Sequence, residues 1–120
     1  MLVQDIEMAH DMEIVFESDA DTEVLSKGKK VMLFRIVQEQ LKNIIKHSGA
    51  TCTIILLRRK SEFVELRISD NGKGFDPTQT HRGIGLSNIY ERTKFYNGNV
   101  DVEAAPGKGC TISVSIPVEE

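Results

Sequence analysis

Leu33, Ile36, Val37, Leu41, Ile44 and Ile45 recur at three- and four-residue spacing, the apolar stripe of an amphipathic helix. The stripe begins near Val31 and should stop at Ser48-Gly49, a residue pair suited to a helix end. Upstream, Leu2, Ile6 and Met8 or Ala9 mark a short opening helix or the end of a longer one. Residues 12–17 then read as a strand, residues 18–21 as a turn, and the segment to Lys30 as polar chain anchored by Val24 and Leu25. After the long helix, strands are expected over 52–58 and 62–70, joined through Arg59-Lys60-Ser61. Residues 70–85 form a loop carrying Gly72, Gly74, Pro77, Gly83 and Gly85. Leu86, Ile89, Thr93 and Tyr96 mark a second helix, ended by Asn97-Gly98. Two strands, 99–104 and 110–116, close the chain as a hairpin around Ala105-Pro106-Gly107-Lys108-Gly109. Mixed helices and paired strands predict an α/β (α+β) two-layer sandwich, its mixed sheet mostly antiparallel and packed on helices.

Composition narrows the classes. The 120 residues suit one domain over 1–120, with 1–11 as the end of a preceding helix or a linker. No apolar run approaches the roughly 20 residues of a membrane span. A net charge of −3 lacks the basic footprint of a nucleic-acid binder. Cys52 and Cys110 fall in no metal or redox spacing and read as free thiols in strands, which points to a reducing, cytoplasmic setting. The start shows no secretory signal and sits in mid-stride, as expected of a piece of a longer chain.

Three features carry candidate chemistry. On the long helix, Asn43 and Lys46 fall within about 40° of Glu39 at about 100° per residue. A carboxylate, a carboxamide oxygen suited to Mg²⁺ and an ammonium suited to phosphate then share one stripe. Taken alone, such a stripe is what an ordinary solvated helix face displays. His47, beside Ser48, has the structural alternative of answering the negative end of the helix dipole.

Asp70 is the second feature. Side chains alternate along the strand, so Asp70 continues the apolar row of Val64, Leu66 and Ile68 while Glu65, Arg67 and Ser69 face the other way. A carboxylate at the rim of a buried face needs partners. It either caps the N–H groups of a turn at Asn71-Gly72 or accepts a ligand's amino group, such as the exocyclic amine of adenine. Gly72 and Gly74 permit positive φ and close approach of a flat ligand. The third feature is Gly83-Ile84-Gly85 running into a helix near Leu86, where free N–H groups suit phosphate. Neither a dinucleotide-binding fingerprint nor a P-loop is present.

The order of these features resembles the ATPase fold of sensor histidine kinases, type II topoisomerases, heat-shock chaperones and mismatch-repair ATPases. Residues Glu39-Gln40-Leu41-Lys42-Asn43-Ile44-Ile45-Lys46-His47 resemble the family's N box. Asp70-Asn71-Gly72-Lys73-Gly74-Phe75 resembles its first glycine box, and Gly83-Ile84-Gly85-Leu86 its second. Pro106-Gly107-Lys108-Gly109-Cys110-Thr111, leading to Ile116-Pro117, resembles the closing hairpin of the kinase branch, and Arg35-Ile36-Val37-Gln38-Glu39 with Asn88-Ile89-Tyr90-Glu91-Arg92 is most similar to its nitrate- and desaturase-sensor subgroup.

The resemblance implies ATP and Mg²⁺ as ligands. Asn43 would hold the metal, Lys46 and His47 would lie at the nucleotide, Glu39 would be the acid/base or orienting residue, and Asp70 would read adenine. Gly72, Gly74, Gly83, Gly85 and Leu86 would bound the nucleotide lid. It also implies transfer of the γ-phosphoryl group to a histidine on a dimerisation domain, and onward signalling to a response regulator. A non-catalytic nucleotide-binding module and a serine kinase of the anti-sigma-factor type share the fold and remain open. Two departures stand out. The family often has Gly-Thr where this chain has Gly109-Cys110, and none of His10, His47 or His81 sits on the paired helices of a phosphoacceptor. With dimerisation assigned to that other domain, this piece is expected to be monomeric and to make no direct contact with membrane or nucleic acid.

Overall fold

The computed structural model describes residues 12–19, 22–74 and 86–118. The opening helix expected before residue 12 and the loop from Phe75 to Gly85 lie outside the described residues. Five strands form one sheet in the order β1-β2-β3-β5-β4: β1 Glu13–Ser18, β2 Cys52–Lys60, β3 Phe63–Asp70, β4 Asn99–Ala104 and β5 Cys110–Pro117. β1 lies parallel to β2, and the remaining pairings are antiparallel. Two helices, α1 Lys27–Asn43 and α2 Leu86–Phe95, join this sheet. The expected mixed, mostly antiparallel architecture is what forms.

Alternation decides which face of the sheet is buried. Ile55 of β2, Val64, Leu66 and Ile68 of β3, and Ile112, Val114 and Ile116 of β5 are all buried. They form one core with Ile36, Leu41 and Ile44 of the long helical run and Ile89 of α2. Glu65 and Arg67 alternate with this row and face away from it.

α1 begins four residues before the apolar stripe suggested, and the reason is chemical. Ser26 caps the helix, its hydroxyl accepting the Lys29 N–H at 3.3 Å. The first residue to turn inward is Lys29, which is only 2% exposed and donates from Nζ to the Pro117 carbonyl at 2.7 Å. A lysine among core positions is invisible to apolar periodicity. The other end behaves as expected: Gly49, at φ +67°, supplies the left-handed C-cap. Shorter shifts occur at the first hairpin, where Lys60 pairs with Phe63, so the turn is Ser61-Glu62 with Ser61 at φ 56°.

Candidate functional site

The final turn of the long helical run differs from its body. Ile44–Ser48 forms a π turn, closed by i→i+5 bonds. This turn is wider than an α turn, so Lys46 and His47 are displaced from the simple stripe drawn through Glu39 and Asn43. Both side chains are exposed, whereas Glu39 and Asn43 are half-buried. Asn43 donates from its carboxamide nitrogen to Gln40 Oε1 at 3.5 Å, so its oxygen, an acceptor, is not used in that bond. Glu39 Oε1 lies 4.0 Å from Nη2 of Arg92 on α2, a residue whose segment carried the family resemblance but to which the sequence assigned no role.

Asp70 ends β3 with Cys110 opposite it on β5 and Thr53 opposite it on β2. Its carboxylate is half-buried and accepts the Gly72 N–H at 2.8 Å, the turn-capping bond that was one of the two readings. That bond occupies Oδ1 and is the carboxylate's one hydrogen bond among the described residues. Burial raises the Asp70 pKa above the usual carboxylate value, and the Gly72 N–H pulls it back down. The neighbouring Cys110 thiol is pushed up to about 12 by its own burial and by the Asp70 charge. Thr111 lies on the opposite face, its hydroxyl 3.0 Å from that of Ser69. The hydroxyl sharing Asp70's side of the sheet is instead that of buried Thr53, which donates to Met12 Sδ at 3.4 Å.

The helix end and the glycine segment after Asp70 are one assembly. The Ser48 carbonyl accepts the Lys73 N–H at 2.9 Å. Asn71 Oδ1 accepts the N–H groups of Thr51 at 2.9 Å and Cys52 at 3.0 Å, and its Nδ2 donates to Thr51 Oγ1 at 3.1 Å. Asn71 therefore pins the segment to the start of β2, a role visible in sequence only as an Asn beside a Gly. The glycines differ from expectation in their use. Gly74 alone of the pair has positive φ, at 63°. Gly72 is small because Ser48 is there: an added Cβ would lie 2.5 Å from both the Ser48 Cβ and its carbonyl oxygen. At Gly74 a Cβ would meet the carbonyls of Ala105 and Gly109, and Gly107 N–H reaches the Lys73 carbonyl at 2.6 Å. The close approach is thus made by the protein's own backbone, from the helix end on one side and the closing hairpin on the other.

The structure brings Asp70, Gly72 and Gly74 to the end of the helical run that carries Glu39, Asn43, Lys46 and His47. Gly83 and Gly85 lie outside the described residues, while Leu86 opens α2.

A half-buried carboxylate at a strand end is thus joined, through its glycine turn, to the end of a polar helix. The chain belongs to the histidine kinase-, DNA gyrase B- and HSP90-like ATPase family, whose profile matches residues 28–120, and it is an ATP-binding domain of that family. It is 38% identical over 106 residues to sensor histidine kinase LiaS of Bacillus subtilis, covering 88% of this chain and 29% of LiaS. It is 34% identical over 120 residues to sensor protein VraS of Staphylococcus aureus, covering 99% of this chain and 34% of VraS. The chain thus spans about a third of the length of the relatives it matches. The fold is that of the catalytic domain of histidine kinase ThkA, with TM-score 0.76 at 16% identity over 97% of this chain and 84% of that one. The blue-light activated histidine kinase of Erythrobacter litoralis EL346 superposes with TM-score 0.77 at 15% identity over 98% of this chain and 39% of that chain.

Proposed function

We propose that this domain is the catalytic part of a sensor histidine kinase, transferring the γ-phosphoryl group of ATP to a histidine on a dimerisation domain and thence to a response regulator. The observation that carries the reading is Asp70, a half-buried carboxylate with one oxygen committed to Gly72 and the other without a hydrogen bond among the described residues. It accepts the adenine amino group, a donor that guanine lacks at the same ring position. The names of LiaS and VraS support the kinase branch of the family.

In this reading Lys46 and His47 meet the phosphates, and Gly83, Gly85 and Leu86 contribute N–H groups to the same ligand. Asn43 would offer its carboxamide oxygen to Mg²⁺, a cation that prefers oxygen ligands. The chemistry such an ion would supply there is neutralisation of phosphate charge. The acceptor imidazole's nitrogen lone pair forms the bond to the γ-phosphorus. The bond to the β–γ bridging oxygen breaks, and ADP leaves with that electron pair. The Glu39 carboxylate takes the proton from the other ring nitrogen. Two unpaired cysteines, Cys110 buried among them, fit a cytoplasmic location, and no described helix is long and apolar enough to cross a membrane.

The test is incubation of the domain with Mg-ATP labelled at the γ position and a separately produced dimerisation domain bearing the acceptor histidine. Acid-labile, base-stable label on that domain is expected. Nucleotide binding without transfer would make this a binding module, and acid-stable label on serine would make it a serine kinase.

A further inference from the structure

Away from the adenine end, charge concentrates in a notch of about 170 Å³ between α1 and α2, lined by Arg35, Gln38, Glu39, Lys42 and Arg92. Glu39 is its one carboxylate among the described residues. Arg35 and Lys42 stand four residues before and three after Glu39 on the same helix, so both are near neighbours by helical geometry. Arg92 comes from the other helix, its Nη2 4.0 Å from Glu39 Oε1. The two side chains are only 35% and 27% exposed. Arg92 Nε is fully buried with no hydrogen-bond partner among the described residues. A guanidinium normally keeps its donors in water or on acceptors. Among the described residues the ion-pair contact to Glu39 is thus the polar contact that ties this guanidinium to α1.

We propose that Arg92 is a positioning residue for Glu39, holding the carboxylate in one orientation before the acceptor imidazole arrives. The assignment rests on the kinase reading and on Glu39's role in it. A glutamate has three side-chain torsions, and cations on its own helix leave it several competing directions. A cation delivered from a second helix selects one of them. The proton from the imidazole then meets a carboxylate already in place, which matters because a displacement of about 1 Å at a reacting group costs on the order of 100-fold in rate.

The experiment is a double-mutant cycle on the 120-residue chain, with Arg92→Gln, Glu39→Gln and the pair together. Single-turnover phosphohistidine formation on the separately supplied acceptor domain is read beside calorimetric affinity for the non-hydrolysable analogue AMP-PNP. Arg92→Gln should slow transfer by about 10- to 100-fold, with analogue affinity within about twofold, and the double variant should be no slower than Glu39→Gln alone. A simple structural role would lower affinity and rate together and would add to the Glu39 effect; either result overturns the assignment. Should Arg92→Gln fail to fold, the same cycle is run with Arg92→Lys, under the same criteria. If Glu39→Gln leaves transfer unchanged, Glu39's role falls and Arg92's with it. If Glu39→Gln is slow and Arg92→Gln is not, only the Arg92 assignment falls.

Discussion

Gly72 and Ser48 pack so closely that a methyl group on the glycine would lie 2.5 Å from the Ser48 Cβ and 2.5 Å from its carbonyl oxygen. The two belong to segments more than twenty residues apart, and the adjacent bond from Lys73 N–H to the Ser48 carbonyl, 2.9 Å long, holds them together. Through this contact the end of the polar helix and the glycine turn after Asp70 share one backbone framework.

Substituting Gly72→Ala should therefore push two backbones apart and strain both. The expected loss is about 1–3 kcal/mol of stability, read from urea denaturation, as for other overpacked sites. ATP-analogue affinity should fall as well in the fraction that folds. An alanine variant with unaltered stability would mean that Ser48 yields at no cost.

Asp70→Asn keeps an oxygen for the Gly72 N–H, which Asp70 Oδ1 now accepts at 2.8 Å. The amide then turns an NH₂ group toward the adenine amine, donor against donor. Affinity for AMP-PNP should drop about 10- to 100-fold, the scale of a lost hydrogen bond to a charged group. Thermal stability near neutral pH should be no lower than that of the parent. Unchanged affinity in calorimetry would remove Asp70 from the adenine site.

The same residue makes a pH prediction. Burial, only partly offset by the Gly72 N–H, holds the Asp70 carboxyl above its ordinary pKa. The folded chain thus keeps this proton to higher pH than the unfolded chain does. The ionised group costs stability above the raised folded value, and the cost disappears below the unfolded one. The stability of Asp70→Asn relative to the parent should accordingly improve as pH rises from about 4 to 7. Nucleotide affinity of the parent, which needs the ionised form, should weaken as pH falls through the raised value. Denaturation and calorimetry over that range check both signs.

Lys29→Ala removes a buried stem and leaves the Pro117 carbonyl without the Nζ donor it now meets at 2.7 Å. A loss of about 2–4 kcal/mol is expected, from the cavity and the missing hydrogen bond combined. Because Lys29 joins the start of α1 to the end of β5, AMP-PNP affinity of the folded fraction should remain within about twofold. A tenfold change would tie this end of the helix to the nucleotide site.

Cys110 is buried and its thiol is pushed up to about 12, so almost no thiolate exists at neutral pH. Iodoacetamide should spare it in the native protein and label it on unfolding, while partly exposed Cys52 reacts earlier. Timed alkylation followed by peptide mass analysis distinguishes the two. Equal native rates would show that the strand end at Asp70 and Cys110 opens readily.

Much of this protein is legible one residue at a time. Strand alternation alone put Asp70 on the row of Val64, Leu66 and Ile68, because side chains on a strand have a period of two whatever the sheet does later. Helical spacing located the core stripe of α1, and Gly49 marked its end, since a left-handed cap is a local demand. The order of motifs was enough to state the family. Local pattern failed where a residue's meaning depends on a distant partner. Lys29 meets a carbonyl in the core where Pro117 brings one, and Gly72 is a glycine on account of Ser48. The π turn at Ile44–Ser48 moved Lys46 and His47 off the stripe that a regular helix predicts. Glu39 acquired Arg92 as a neighbour only when α2 packed beside α1. Periodicity reports which face of an element is apolar; which charge meets which across two elements is set by packing, and that was decided in three dimensions.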